Sequence, residues 1–224
     1  MKKITDNVYF IGSSGCDIYL INSKSEDGLI LIDCGMDLEL IKSIKEKNLD
    51  PLNIKHCIIT HCHIDHIDAC FQLSDFNPDI KFYAHELDAK AIEEEGFNNK
   101  TAAFWYGIKY KPIKLYKKFV GDINTLNFGN LNLMCIHTPG HTPGSISIFL
   151  EINQKKILFG QDIHGPFSEE FDSNLNDYYE SMKKLIDLNA DFLCEGHYGI
   201  ITPADEVKRF IQSHLTRNTN YFPK

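Results

Sequence analysis

The sequence predicts a single α/β domain over residues 1–224, in which two β-sheets pack face to face and helices cover both outer faces. Two observations lead to this fold class. With 224 residues, 43% of them hydrophobic, the chain can bury one sizeable core and still remain one domain. It also runs through two β-then-α halves that meet near residues 97–120. Each sheet then has one face against its partner and one face under helices.

The first half begins with short strands separated by glycines and then alternates strands with helices. A helix is predicted over Asp37–Lys47 from the helical spacing of Leu38, Ile41 and Ile44, and it ends before Pro51. A second and a third helix are predicted at Ala69–Phe76 and Glu86–Glu95. The predicted strands of this half are Asn7–Ile11, Cys16–Asn22, Leu29–Asp33, His56–Thr60 and Lys81–Ala84.

The second half repeats this alternation after an aromatic and lysine-rich passage. A helix is predicted at Tyr178–Leu188, and a final helix begins at Pro203. The predicted strands are Leu131–Ile136, Ser145–Leu150, Lys156–Phe159 and Phe192–Cys194.

Charge and cysteine usage narrow the class of function. The formal net charge of −8 disfavours a nucleic-acid surface, because binding to phosphate backbones depends on clustered Lys and Arg; we expect a small-molecule substrate. The N-terminal segment reaches Asp6 before a signal-peptide core develops, and no stretch approaches a membrane span. The seven cysteines contain no C-x-x-C pair, so neither a disulfide framework nor a thiolate zinc site is indicated. We therefore expect a cytoplasmic protein without membrane contact.

Four side chains of metal-ligand type stand within six residues after the strand His56–Thr60. They are His61, His63, Asp65 and His66. Imidazole and carboxylate together suit zinc, and also iron or manganese. His61 and His63, two residues apart in extended chain, can face one metal, while Asp65 and His66 on the following turn face a second. The alternative is a polar strand end in which Asp65 only caps a helix.

Three later segments each present one more ligand in a glycine-rich turn after a strand, namely His141, Asp162 and His197. Glycine permits close backbone approach, and loops at strand ends are where rigid scaffolds place reactive side chains. Each segment alone also fits an ordinary turn. Together with the first cluster they supply seven ligands, the number that two four-coordinate metals need when one carboxylate and one hydroxide bridge them.

These motifs resemble the metallo-β-lactamase superfamily, whose H-x-H-x-D-H signature matches the first cluster. The resemblance runs from Leu31–Gly35 through Thr138–Ser145 to His197. It implies a fold of the α/β (α+β) class. Its architecture is a four-layer αββα sandwich of two mixed β-sheets with helices on both outer faces. It also implies that His61, His63 and His141 hold one metal, that Asp65, His66 and His197 hold a second, and that Asp162 bridges them.

The resemblance gives Asp33 a role as well. This residue matches the family's first-strand aspartate, which orients metal ligands. A turn-starting aspartate before Gly35 is the alternative interpretation.

An aspartate at the bridging position resembles the glyoxalase II, lactonase and ribonuclease Z branches of the family. The β-lactam-hydrolysing members most often place Cys or Ser near the second metal. We therefore expect a hydrolase that holds two divalent ions, with zinc as the first expectation. A hydroxide shared by the two ions would cleave an ester, thioester, lactone or similar bond. About 27 residues follow His197, too few for the C-terminal domain with which glyoxalase II binds glutathione.

Two relatives with other chemistry remain as alternatives. Persulfide dioxygenases share a His-Cys-His-x-Asp-His run and use one iron, but they follow their aspartate with an arginine- and glycine-rich segment that Ile163–Phe167 does not match. Ribonuclease Z needs a basic RNA surface and an appended arm, which the net charge and the length disfavour.

Two residues are candidates for donating a proton to the leaving group or for orienting the substrate. The first is His164, two residues after Asp162, and the second is Tyr198, beside His197. An ordinary loop side chain is the alternative for both. The predicted catalytic set is therefore Asp65, Asp162, His164 and Tyr198.

The segment Phe97–Phe119 combines positive charge with aromatic rings and contains no Asp or Glu. We expect a flap whose aromatic residues shape the pocket and whose lysines attract an anionic substrate. A homodimer contact through the aromatic residues is the alternative. The residues concerned are Lys100, Lys109, Lys111, Lys114, Lys117 and Lys118, with Phe104, Trp105, Tyr106, Tyr110 and Tyr116.

Overall fold

Two mixed β-sheets form the centre of the protein in the computed structural model, which describes residues 2–219. Within these residues, the strands of the first sheet lie side by side in the same order as they occur in the chain. They are β1 (Lys2–Lys3), β2 (Val8–Ser14), β3 (Cys16–Asn22), β4 (Leu29–Ile32), β5 (Ile54–Ile58), β6 (Lys81–His85) and β7 (Lys117–Phe119). Strands β1 to β4 pair antiparallel, and β4 to β7 pair parallel.

The second sheet is built from the later strands. They are β8 (Ile123–Phe128), β9 (Leu131–His137), β10 (Ile146–Ile152), β11 (Lys155–Gln161), β12 (Phe192–Glu195) and β13 (Gly199–Ile201). Their spatial order is β13-β12-β11-β10-β9-β8. Strands β11 and β12 pair parallel and the other neighbours pair antiparallel, so that β9, β11 and β12 run in the same direction.

Helices connect and cover the two sheets. The first half of the chain contributes α1 (Glu39–Lys45), α2 (Ile64–Ile67), α3 (Ala69–Phe76), α4 (Glu86–Glu93) and α5 (Ala103–Tyr106). The second half contributes α6 (Leu175–Asp187) and α7 (Ala204–Thr219), and 3-10 helices occupy Pro51–Asn53 and Glu169–Phe171. Within residues 2–219, none of these helices is long and apolar enough to cross a bilayer.

Alternate residues of β4 belong to two different apolar cores, because successive side chains of a strand point to opposite faces. Leu29 and Leu31 share a core with Leu40 of α1. Ile30 and Ile32 belong to the core between the sheets. A third core joins the second sheet to α6 and α7, and it includes Leu158, Leu193, Met182 and Ile211. Three cores between four layers confirm the predicted αββα sandwich.

The predicted strands and helices are present, but several of their predicted ends are wrong, and two of these concern the site. Strand β4 stops at Ile32 because Asp33 has a φ of +58°, outside the strand region. Strand β5 covers Ile54–Ile58 rather than His56–Thr60, so Thr60 already belongs to the loop that carries the histidines. The sequence pattern did not reveal β8, in which Asn124 and Asn127 interrupt the apolar residues.

Candidate metal centre

Four loops at the carboxyl ends of strands bring the ligand-type side chains together. The loop after β5 carries the first cluster, and the loop after β9 carries His141. Asp162 directly follows β11, and His197 lies two residues after β12. Because β9, β11 and β12 run in the same direction, their loops meet at one edge of the second sheet.

One group of side chains consists of His61, His63, His141 and Asp162, whose ligand atoms all lie within 4.8 Å of one another. The Nε2 atom of His141 lies 2.9 Å from Nδ1 of His63 and 3.5 Å from Oδ2 of Asp162. The Nε2 atom of His61 lies 3.8 Å from the same oxygen. Three imidazoles and one carboxylate thus face a common point.

A second group, Asp65, His66 and His197, lies beside the first. The Oδ2 atom of Asp65 lies 3.4 Å from Nε2 of His197 and 4.0 Å from Nε2 of His66. Asp65 is the second residue of α2, and the N-cap position of that helix is occupied by His63. The carboxylate of Asp65 therefore faces the histidines rather than serving as a helix cap.

The carboxylate of Asp162 lies between the two groups. Its Oδ1 atom lies 3.3 Å from Nε2 of His66, and its Oδ2 atom lies 3.3 Å from Nε2 of His197. On the other side, Oδ2 faces His61 and His141. The carboxylate of Asp162 thus lies against imidazoles of both groups.

These separations fit a metal-binding arrangement. A tetrahedral ion with bonds of about 2.1 Å holds its ligand atoms about 3.4 Å apart, close to the distances that Asp162 makes with four imidazoles. Buried polar atoms normally have a hydrogen-bond partner. The Nε2 atoms of His61 and His66 and the Oδ1 atom of Asp162 are buried and lack one among the described residues. A bound cation would satisfy all three.

Metal binding requires neutral imidazole and ionised carboxylate, and the protonation states of four ligands meet this requirement. Burial lowers the pKa of His61, His63 and His141 below the ordinary value of 6.5, so these rings are neutral at neutral pH. Burial opposes the charge of Asp162, but the imidazoles of His66 and His197 outweigh it and hold the pKa of that carboxyl well below its usual range. The pKa values of His66 and His197 are instead raised above the ordinary value, so these two rings must release a proton when a metal binds.

Asp33 forms hydrogen bonds with His66 of the first cluster and with Thr60, which precedes the cluster. Its Oδ2 atom lies 2.8 Å from Nδ1 of His66, which fixes that ring with Nε2 towards Asp162. The same carboxylate accepts hydrogen bonds from the backbone N–H and the hydroxyl of Thr60, both at 2.8 Å. This placement agrees with the orienting role expected for Asp33.

Asp88 joins the two loops that carry the first group of ligands. Its buried carboxylate accepts hydrogen bonds from the backbone N–H of Cys62 at 2.9 Å and from that of Gly144 at 2.7 Å. The hydroxyl of Thr142 donates to it at 2.7 Å. Cys62 itself is buried, and its thiol lies near the carbonyl of Lys100, so it points away from the ligands.

Glu195 joins the loop that follows Asp162 to the loop that carries His197, and its side chain is fully buried. Its Oε1 atom accepts hydrogen bonds from Nδ1 and the backbone N–H of His164, at 2.9 and 3.3 Å. Its Oε2 atom accepts from the backbone N–H groups of His197 and Tyr198, at 2.7 and 3.1 Å. Next to it, Gly196 has no room for a side chain, because a Cβ atom would collide with Asp162.

Sequence reasoning did not identify Asp88 and Glu195 as functional residues. The partners of Asp88 lie 26 to 56 residues away in the chain, so no local motif marks it. For Glu195 one signal was available, since an acidic residue in the turn Glu195-Gly196-His197 stands directly before a ligand.

The metal pocket is a cavity of about 210 Å³ with aromatic walls. Trp105 and Tyr106 of α5 line it, and both are partly exposed. The ring of Trp105 packs against Phe171 with centroids 4.9 Å apart, and Phe171 packs against His63 at 4.4 Å. Two of the five aromatic residues of the predicted flap, Trp105 and Tyr106, therefore form part of the wall of this pocket.

The lysines of Phe97–Phe119 lie elsewhere. Lys100 forms an ion pair with Asp172, and Lys118 with Glu93. None of the six lysines lines the metal pocket as the described residues form it. A third lysine, Lys109, pairs with Glu95. The attraction of an anionic substrate by these lysines stays a prediction.

The structure places the two proton-donor candidates differently. His164 lines the metal pocket, and its Nδ1 is held by Glu195. Tyr198 is exposed and packs against the ring of His164 with centroids 5.1 Å apart, but it does not line the pocket that the described residues enclose.

Comparisons with known proteins agree with this geometry. A family model described as the metallo-beta-lactamase superfamily matches residues 11–197. The hydroxyacylglutathione hydrolase GloC of Haemophilus influenzae is 30% identical over 199 residues, which cover 82% of this chain and 86% of GloC. The probable metallo-hydrolase YflN of Bacillus subtilis is 26% identical over 81% of this chain and 80% of its own. The match to the probable metallo-hydrolase YqgX of B. subtilis, at 31% identity, spans 57% of each chain.

Solved structures of similar fold include several metallo-beta-lactamases. GOB-18 from Elizabethkingia meningoseptica superposes with a TM-score of 0.78 at 23% identity, over 97% of this chain and 88% of that one. A motif mutant of the enzyme from Cronobacter sakazakii superposes with a TM-score of 0.80 at 17% identity, over 97% and 94%. At such identities the likeness concerns the fold alone.

Proposed function

The chain belongs to the metallo-β-lactamase superfamily, and from this premise we propose that it is a hydrolase with two divalent metal ions that cleaves an ester or thioester. His61, His63 and His141 hold one ion, and Asp65, His66 and His197 hold the other. Asp162 serves both. The observation that carries this proposal is the position of the Asp162 carboxylate between the two groups of histidines.

Zinc is the metal that we propose, with iron and manganese as alternatives that the same ligand types accept. When bound, such a pair of ions supplies an acidified water nucleophile and polarises the bond that is attacked. The protein then has no need of a Ser or Cys nucleophile. This agrees with the seven buried cysteines, none of which lines the metal pocket as the described residues form it.

His164 is the proposed proton donor to the leaving group. Glu195 holds its Nδ1 atom at 2.9 Å, which leaves Nε2 as the atom that can face a substrate in the pocket. The aromatic wall of Trp105, Tyr106 and Phe171 reduces the access of bulk water on the opposite side. Tyr198 is the less favoured donor because it lies outside this pocket.

Thioesters come first among the proposed substrates. The relative GloC is named a hydroxyacylglutathione hydrolase, and this chain covers 86% of its length. The shortness of the chain after His197 is therefore no reason to set glutathione thioesters aside, although the sequence alone pointed that way. The bond to be cleaved joins an acyl carbon to sulfur, and water supplies the oxygen of the acid product and the proton of the thiol product.

A substrate panel with the Asp162→Ala variant tests the proposal. Zinc-loaded protein should hydrolyse thioesters faster than lactones, phosphodiesters or β-lactams. Asp162→Ala should lose one metal and reduce kcat/KM by at least about 10³-fold, because one carboxylate serves both ions. Asp187→Ala, at an exposed position at the end of α6, is the matched control and should behave as the wild type. Full rate and two metals in Asp162→Ala would contradict the assignment.

A further inference from the structure

A second cavity of about 520 Å³ adjoins the metal pocket. The two share a wall, because His164 and Pro166 line both. The metal pocket measures only about 210 Å³, whereas sites for small organic ligands commonly measure 300 Å³ or more. A substrate of ordinary size whose reacting bond lies at Asp162 must therefore extend beyond the metal pocket, and the second cavity lies on the other side of His164 and Pro166.

The lining of the second cavity combines apolar surface with one cation. Phe167 and Leu175 supply the apolar side, and Arg217 and Asn218 of α7 supply the polar side. No acidic side chain lines the cavity within the described part of the chain, although the whole protein carries a formal charge of −8. A cation without an acidic neighbour attracts an anion.

Arg217 is available for a ligand. It is exposed and forms no ion pair with any carboxylate between residues 2 and 219. Two other cations of this half are paired: Arg209, two turns earlier on α7, pairs with Glu206, and Lys183 on α6 pairs with Glu180. The guanidinium group presents several N–H donors in a fixed plane, which matches a carboxylate or phosphate.

The end of α7 is held against the loop of the metal site. The amide of Asn218 donates to the hydroxyl of Tyr178 at 3.3 Å. That hydroxyl in turn donates to the backbone carbonyl of Ile163, next to Asp162, at 2.7 Å. Asn218 is buried, so the backbone that carries Arg217 has a defined position relative to the metal pocket.

We propose that Arg217 binds an anionic group at the far end of the substrate's leaving group. This inference rests on the proposed function, because it assigns the second cavity to the part of the substrate beyond His164. A proton donor stands beside the leaving atom, so the arm that passes His164 and Pro166 belongs to the thiol or alcohol that departs. The substrates are therefore esters or thioesters of an acidic thiol or alcohol, with an apolar stretch that contacts Phe167 and Leu175.

The experiment compares paired substrates that differ only in charge. Acetyl thioesters of 3-mercaptopropionate and 6-mercaptohexanoate are assayed beside those of the corresponding neutral amides. For at least one chain length, the zinc-loaded wild type should have a kcat/KM roughly tenfold or more higher for the acidic thioester than for the neutral amide. This is the effect expected of one charge-assisted hydrogen bond at an exposed site. Arg217→Ala should lose this preference through KM, and Arg217→Lys should keep part of it.

Controls separate the subsite from folding and from the chemistry. Arg209→Ala, on the same helix but ion-paired away from the cavity, should keep the full preference. Metal content and turnover of the neutral amide substrates should stay the same in Arg217→Ala. A preference for the acid that survives in Arg217→Ala, or that the wild type lacks at both chain lengths, would overturn the proposal.

A failure of the proposed function would look different. If the wild type hydrolyses none of the thioesters, binding of hexanoate to wild type and Arg217→Ala is measured by calorimetry in the presence of zinc. Binding that weakens by roughly tenfold in the variant would support the anion subsite without thioester hydrolysis. Equal binding, or no binding, would overturn it.

Discussion

Replacing Glu195 with glutamine removes two of the four hydrogen bonds that join the loops of the metal site. Each carboxylate oxygen of Glu195 accepts two N–H donors, one oxygen from His164 and the other from His197 and Tyr198. A glutamine side chain of the same size has one oxygen and one NH₂ group. One pair of N–H donors then faces another donor in a fully buried position.

The size of the effect follows from the count of these bonds. A hydrogen bond to a charged group contributes about 1.5–3 kcal/mol, and a buried donor without an acceptor is unfavourable by a similar amount. Because bonds in one network are not additive, we expect Glu195→Gln to lower the free energy of unfolding by about 3 kcal/mol. Metal affinity should fall about 10- to 100-fold, as for other residues that orient metal ligands.

Urea denaturation of the metal-free and zinc-loaded proteins measures the free energy of unfolding. Competition with a chelating dye measures the zinc affinity. Glu180→Gln is the matched control, because Glu180 is exposed and, among residues 2–219, forms an ion pair with Lys183 alone; it should change the free energy of unfolding by less than about 0.5 kcal/mol. If Glu195→Gln unfolded within about 0.5 kcal/mol of the wild type and bound zinc equally well, the role given to Glu195 would be refuted.

Three further predictions follow from individual contacts. Asp33→Asn should weaken zinc binding about 10- to 100-fold, because it removes the carboxylate that orients His66; unchanged affinity by chelator competition would contradict this. Replacing Trp105 and Tyr106 with Ala should raise KM or change substrate preference while metal content and oligomeric state stay the same; a variant that becomes monomeric with unchanged kinetics would favour the dimer alternative. Burial lowers the pKa of His56 from 6.5 to about 4, so between these pH values the unfolded chain binds a proton there that the folded chain does not. Stability should therefore fall as pH drops through this window, and the pH dependence of urea midpoints should become shallower in His56→Asn; an equal slope in both proteins would contradict the argument.

The fold was largely predictable because hydrophobic spacing is a local property of the chain. The run Leu29–Ile32 is fully apolar, and such a run is typical of a strand buried on both faces, as β4 is. The strands that the pattern did not reveal are short or have polar residues on an exposed face. In β8, for example, only Leu126 and Phe128 are buried.

The candidate ligands were also predictable, since four of them stand in one motif and the others in glycine-rich turns. Among their supporting contacts, that of Asp33 was expected from the resemblance, but those of Asp88 and Glu195 were not. Asp88 and Glu195 act through partners that only the folded chain brings near, and their carboxylates look in the sequence like any surface acid. The ion pairs of the lysine-rich segment were not predictable for the same reason, because Glu93, Glu95 and Asp172, which pair with three of its lysines, lie outside it.

The metal stoichiometry of the wild-type protein tests the central claim most directly. The protein is expressed without added metal and analysed for its elements, and the metal-free form is then titrated with zinc by calorimetry. Two groups of ligands joined by Asp162 predict two divalent ions per chain at saturation. One tightly bound iron with no zinc, or a single zinc site that leaves the second group without metal, would contradict the account.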